Sequence, residues 1–142
     1  MRFYPDSIPP FQFEPTTDRF QVQKFENARG EGVVSLVSFQ PGDVVAAFSG
    51  VVLPHITQFT LQLSESLHIH DPYFMGKVLH HCDPNCITDL KRLLFIATKR
   101  IEPGEIITID YDATEEVLYK SFHCSCGATH CRGFIQGRSP KP

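Results

Sequence analysis

Three of the chain's five cysteines fall in one short run, Phe122–Gly133, which reads FHCSCGATHCRG. Cys124, Cys126 and Cys131 follow the spacing Cys-x-Cys-x4-Cys. Zinc takes four tetrahedral ligands at ~2.0–2.3 Å, mostly Cys or His. Two cysteines separated by one residue can face one ion if the chain curls, and Gly127 allows the curl that returns Cys131. That leaves one ligand to find. His123 or His130 would close a local site, whereas Cys82 or Cys86 would staple the tail to the domain body. The alternative is a tail of unligated thiols. The cysteine count is odd, and the N-terminus MRFYPDSIPPFQFEP has prolines and acids where a signal peptide has an apolar run. Both features disfavour a disulfide framework and predict a soluble, intracellular protein.

The two remaining cysteines lie in Leu79–Cys86, LHHCDPNC, which reads as a metal site, a nucleophile or an ordinary turn. The chain has 142 residues, of which 42% are hydrophobic. That suits one domain with a real core. No apolar run approaches the ~20 residues of a membrane helix. A net charge of −3 argues against direct nucleic-acid binding and is compatible with a basic peptide partner.

The pattern of apolar residues predicts a mostly β domain. Phe20–Phe25, Val33–Phe39, Val44–Phe48, Val51–Leu53, Leu93–Thr98 and Ile106–Tyr111 read as strands. Gln40-Pro41-Gly42-Asp43 and Glu102-Pro103-Gly104-Glu105 read as turns with Pro second. Asn27–Gly32 and His68–Tyr73 read as loops, and Thr57–Leu63 as either strand or helix. Thr114–Lys120 reads as a short helix with Thr114 as N-cap. Residues 1–19 read as an irregular arm, 20–118 as the domain body, and 119–142 as a Cys-rich tail.

Four segments, in order, resemble the SET-domain family of protein lysine methyltransferases. Gly30-Glu31-Gly32, with PGDVVAAFSG after it, is similar to the family's GxG turn and following strands. HHCDPN is similar to its Asn-His-Ser-Cys-x-Pro-Asn, and PGEIITIDY to its Gly-Glu-Glu-Leu-x-x-Asp-Tyr. CSCGATHCRG resembles the post-SET zinc segment. The resemblance covers about residues 20 to 135. It implies a fold of small curved sheets around a pseudoknot, in which the HHCDPN and IDY segments pass each other. It implies S-adenosylmethionine as methyl donor and one structural zinc ion held by Cys82, Cys124, Cys126 and Cys131. Cys86 is then a spare structural thiol, and residues 20–118 and 119–142 become the SET and post-SET parts.

The resemblance also implies roles. Tyr111 would orient the amine and the methyl group. Backbone groups at Glu31 and Gly32, the segment at His80, and Phe134 stacked on adenine would hold the donor together with Tyr111. Phe59 and Tyr73 would line a lysine channel or pack in the core. Asn85 would hold the turn. His68, His70 and Asp71 form a second metal site on paper. The chain departs from the family at Leu79 (for Asn), His81 (for Ser), Phe48 (for Tyr) and Ile109 (for an aromatic).

Methyl transfer to lysine needs a neutral amine. With an ordinary pKa of ~10.4, roughly one amine in 2,000 is neutral at pH 7, a cost of about 4.6 kcal/mol. A nearby sulfonium and an apolar channel both lower that pKa. Alignment of donor and acceptor can supply roughly 7–11 kcal/mol more. The expected substrate is a protein with an exposed lysine, such as a histone tail. A SET-like module without catalysis is the second reading, and a Cys-His hydrolase using Cys82 the third.

Overall fold

The computed structural model describes residues 1–25 and 30–139. Twelve short strands and almost no helix make up this part of the chain. The expected loop at Asn27 falls largely outside the described residues, but Gly30–Gly32 belongs to a strand.

Strands β1 (Phe20–Phe25) and β2 (Gly30–Ser35) form an antiparallel hairpin, with Phe20 opposite Ser35 and Phe25 opposite Gly30. Strands β3 (Val44–Ala47), β8 (Cys86–Asp89) and β9 (Leu94–Ala97) form a sheet in the order β3-β9-β8. Strands β4 (Val51–Leu53), β5 (Thr60–Ser64) and β6 (Leu67–His70) form another, in the order β4-β6-β5. His68–His70, expected in a loop, is thus the central strand of that sheet. Its alternation is masked in sequence by polar histidines, and pairing on both sides overrides the polar composition.

The two Pro-Gly turns form as expected. Asp43 N–H donates to Gln40 O at 3.0 Å and Glu105 N–H to Glu102 O at 3.1 Å. Gly42 and Gly104 take φ of 92° and 94°, which a side chain would resist. They bring Phe39 against Ile101, linked by a bridge. The core gathers Phe20, Phe74 and Phe95 with Val33, Ile101 and Ile107, all essentially without exposure. The N-terminal arm has no strand, yet it is not loose. Tyr4 is buried in the core, Phe3 packs on Phe74, and Arg2 pairs with Glu14. The aromatic residues that break its periodicity are the ones that anchor it.

The expected helix at Thr114–Lys120 is displaced. The single turn α1 covers Tyr111–Thr114, and Asp110 is its N-cap, accepting from Asp112 N–H. An Asp after a short strand competes for the backbone as well as Thr does, and here it lies four residues earlier. The strand expected to reach Tyr111 is therefore only β10, Thr108–Ile109.

Candidate active site and metal centre

Two segments distant in sequence are laid side by side. Strand β7 (Leu79–His80) pairs with β10 in parallel, His80 opposite Ile109. Asn85 is the clasp. Its side-chain amide donates to Ile106 O at 2.9 Å, and its Oδ1 accepts Thr108 N–H at 2.9 Å. The expected crossing of the HHCDPN and IDY segments is seen here, and it delivers Tyr111 to His80.

Tyr111 N–H donates to His80 Nδ1 at 3.0 Å. Nδ1 is therefore the acceptor, and in the neutral ring Nε2 carries the hydrogen. Nε2 lies 3.4 Å from Cys82 Sγ. Burial lowers the pKa of His80, with Asp110 opposing, so the neutral ring is favoured. Tyr111 Oη donates to Val78 O at 2.6 Å. Burial, then the nearby Glu115 carboxylate, holds its pKa far above the ordinary value, so the hydroxyl stays protonated. Among the described residues none donates to this oxygen, so its lone pairs can accept a hydrogen bond.

Two cavities meet at this tyrosine. The larger, about 600 Å³, is lined by Leu79, His80, Phe122 and Cys126 among others. The smaller, about 410 Å³, is lined by Ile109, Glu115, Leu118 and Tyr119 among others. Tyr111, Lys120 and Phe122 belong to both walls.

The tail closes over the larger cavity. Strands β11 (Phe122–His123) and β12 (Phe134–Ile135) pair antiparallel. Ile135 is fully buried, and Arg132 makes two hydrogen bonds to the Asp110 carboxylate, at 2.9 and 2.6 Å. The loop between the two strands carries three cysteines to Cys82. The sulfurs of Cys82, Cys124, Cys126 and Cys131 all lie within 4.8 Å of one another, with Cys82 and Cys124 at 3.9 Å. A tetrahedral zinc with bonds of ~2.3 Å sets its sulfurs about 3.8 Å apart. No disulfide joins them. The four thiols thus fit a metal ion, and they leave no fifth position for water. Arg132 N–H and His80 Nε2 both approach Cys82 Sγ at 3.4 Å, as donors that support a thiolate. Of the other fourth-ligand candidates, His130 bonds to Cys82 O, His123 packs on Phe134, and Cys86 is buried in β8.

The model of the SET domain family matches residues 30–112. The chain belongs to the SET domain family. Curated relatives are histone-lysine N-methyltransferases. Human EHMT1 is 30% identical over 128 residues, which is 72% of this chain and 10% of that protein. Drosophila melanogaster ash1 is 34% identical over 70 residues, 45% of this chain and 3% of that protein. The chain thus spans a tenth or less of the length of these relatives. Among solved structures, KRYPTONITE in complex with mCHG DNA and SAH matches with a TM-score of 0.68 at 22% identity, covering 81% of this chain and 28% of that one. KRYPTONITE with mCHH DNA, H3(1-15) peptide and SAH matches at 0.65 and 22%, with 81% and 29% covered.

Within this SET domain the sequence-expected residues separate into two groups. Tyr111, His80 and the four cysteines come together. Glu31 is exposed and pairs with Lys77 at 3.6 Å. Gly32 is covered by Leu79, since a Cβ there would meet Leu79 Cδ1 at 2.7 Å. Neither Glu31 nor Gly32 appears among the residues lining the larger cavity. Phe134 is 45% exposed and packs on His123 rather than in that wall. Phe122 takes the wall position, with ring centroids 5.7 Å from His80 and 5.9 Å from Tyr111. No sequence signal separates Phe122 from Phe134.

Phe59 and Tyr73 do not appear in the smaller cavity's wall; Tyr119 and Phe122 do. Phe59 packs on His70, and Tyr73 on Tyr4. The four cysteines form the sole metal-capable cluster among the described residues. Asp71 instead accepts Tyr4 Oη–H and the N–H groups of Tyr73, Phe74 and Met75. His70 Nδ1 meets Thr57 Oγ1 at 2.8 Å. Phe48 is in the core against Phe95, at 4.8 Å between rings, so its missing hydroxyl leaves no gap at the cavities.

Proposed function

We propose that this SET domain transfers a methyl group from S-adenosylmethionine to a lysine amine of a protein. The observation that carries the reading is the meeting of two cavities at one protonated tyrosine, one wide enough for a nucleoside-bearing donor and one narrower. The sulfonium donor supplies the methyl group, which the amine attacks directly. The larger cavity holds the donor, walled by Leu79, His80 and Phe122. The smaller admits the lysine. Tyr111 orients the amine through its free lone pairs while Val78 O fixes its hydroxyl. The four thiolates hold a structural zinc ion that fastens residues 119–142 over the SET body, residues 20–118. Five free cysteines suit a reducing, intracellular setting.

A histone is the first substrate to test. The curated relatives are histone-lysine methyltransferases, and one similar structure is a complex with an H3 peptide. A non-catalytic module is the second reading, and Leu79 favours it. A leucine on the donor-cavity wall offers no hydrogen bond where the family's Asn has one. Incubation with labelled donor, histones and total cell protein, beside Tyr111→Phe, separates the two. Label transfer by the native protein alone supports the enzyme. Absence of both donor binding and transfer supports the module. Equal transfer by both proteins refutes the role of Tyr111.

A further inference from the structure

The smaller cavity has one carboxylate in its wall, Glu115. The residue is 6% exposed, and burial is the first cause raising its pKa. Its position is fixed from three sides. Oε2 accepts Gln62 N–H of β5 at 2.8 Å. Its own N–H donates to Tyr111 O at 2.9 Å, and its O accepts Arg138 N–H at 3.0 Å. The Thr114 hydroxyl is a second neighbour of the carboxylate, and the side chain lines the cavity. Tyr111 lines the same cavity.

A buried acid needs a reason. Bonding the Gln62 N–H at the open edge of β5 is one, but a neutral Gln would serve as well. The cavity supplies a better one. A lysine ammonium that enters the cavity loses water, and that loss is severe without a partner charge. Ile109 and Leu118 suit the alkyl stem, and the wall's other polar residues, such as Thr57, Gln58 and Lys120, bring no negative charge. Glu115 does, at the wall shared with Tyr111.

We propose that Glu115 is the residue that receives the substrate's ammonium group in the smaller cavity, as an ion-paired hydrogen-bond acceptor. The inference rests on reading this cavity as the lysine channel. Its test uses no methyl transfer, so its failure is distinct from failure of the enzymatic reading. The probes are n-butylammonium and n-butanol, titrated into the isotope-labelled, metal-loaded protein and followed by NMR at Thr114, Leu118 and Ile109. The expected result is that n-butylammonium binds the native protein more tightly than n-butanol does. Glu115→Gln should weaken the ammonium roughly 10- to 100-fold, the worth of a hydrogen bond to a charged group, and leave n-butanol unchanged.

A pH titration of the native protein avoids any variant. Ammonium binding should fade as acid protonates the carboxylate, and in Glu115→Gln no such fading should occur. The charged and titratable groups around Glu115 are Tyr111, Glu116, Lys120, Arg138 and, opposite Gln62 on β6, His68, and Glu116→Gln and His68→Gln should each keep the native titration. Absence of ammonium-selective binding in the native protein, or equal binding in Glu115→Gln, overturns the assignment.

Discussion

Removing the metal should melt one loop and spare the rest. The loop from Ser121 to Arg132 has about a dozen residues, and ordering their backbone costs roughly 12–24 kcal/mol at ~1–2 per residue. Its links to the body other than sulfur are few. The Arg132–Asp110 pair is partly exposed and contributes about 1 kcal/mol or less. The contact of His130 with Cys82 O adds about 1 kcal/mol. A structural zinc on four thiolates contributes on the order of 10–16 kcal/mol, which is close to what the loop lacks. Strand β12 differs, because Ile135 is buried and Arg138 and Ser139 bond to Glu115 and Glu116 backbone. The central sheet β3-β9-β8 does not depend on the tail. Hydrogen exchange read by mass spectrometry, with and without a chelator, tests this. Protection should vanish at Cys124, Cys131 and Arg132, whose N–H groups are bonded inside the loop or to Cys82, and persist in β3, β8 and β9. If metal analysis confirms removal and the loop amides stay protected, the reasoning fails. A purified protein free of metal with an ordered loop would refute it equally.

Tyr111→Phe should lower methyl transfer by roughly 10²-fold through lost alignment, while urea unfolding shows a loss of only about 1 kcal/mol for the bond to Val78 O. Asp71→Ala should cost about 3–5 kcal/mol in urea, since four donors lose a fully buried acceptor. Cys86 should resist alkylation in the native protein with or without metal, because burial pushes its thiol up to about 12. The four clustered thiols should become reactive on chelation. Glu115 has a folded pKa above its ordinary 4.5, so the native state binds that proton more tightly. Its contribution to stability is present below 4.5 and is lost as pH rises through the folded value. The native protein should lose stability, relative to Glu115→Gln, across that window in pH-dependent thermal melts.

Much of the site was legible because some residues declare their chemistry by type and spacing. Cysteines at Cys-x-Cys-x4-Cys suit one ion, and a Gly between them suits the curl. The Pro-Gly turns were equally plain, since the positive φ at Gly42 and Gly104 is a local demand. Other features were obscured because pairing decided them. His68–His70 became a central strand through partners on either side. Asp110 took the cap expected of Thr114. Phe134 and Phe122 are both aromatics of the tail, and only the register of β11 against β12 turns Phe122 to the cavity.

The sequence by itself determined that the chain is mostly β, that its tail carries three cysteines at a spacing suited to one metal ion, and that Tyr111 ends a motif of chemical interest. These follow from local spacing and residue type, which act over a few bonds. Tertiary structure decided which thiol joins the three of the tail, the tautomer of His80, the wall positions of Phe122 and Glu115, and the burial of Phe48. Each depends on segments far apart in the chain. The Asn85 clasp across β7 and β10 sets their offset, and no pattern within either segment records it.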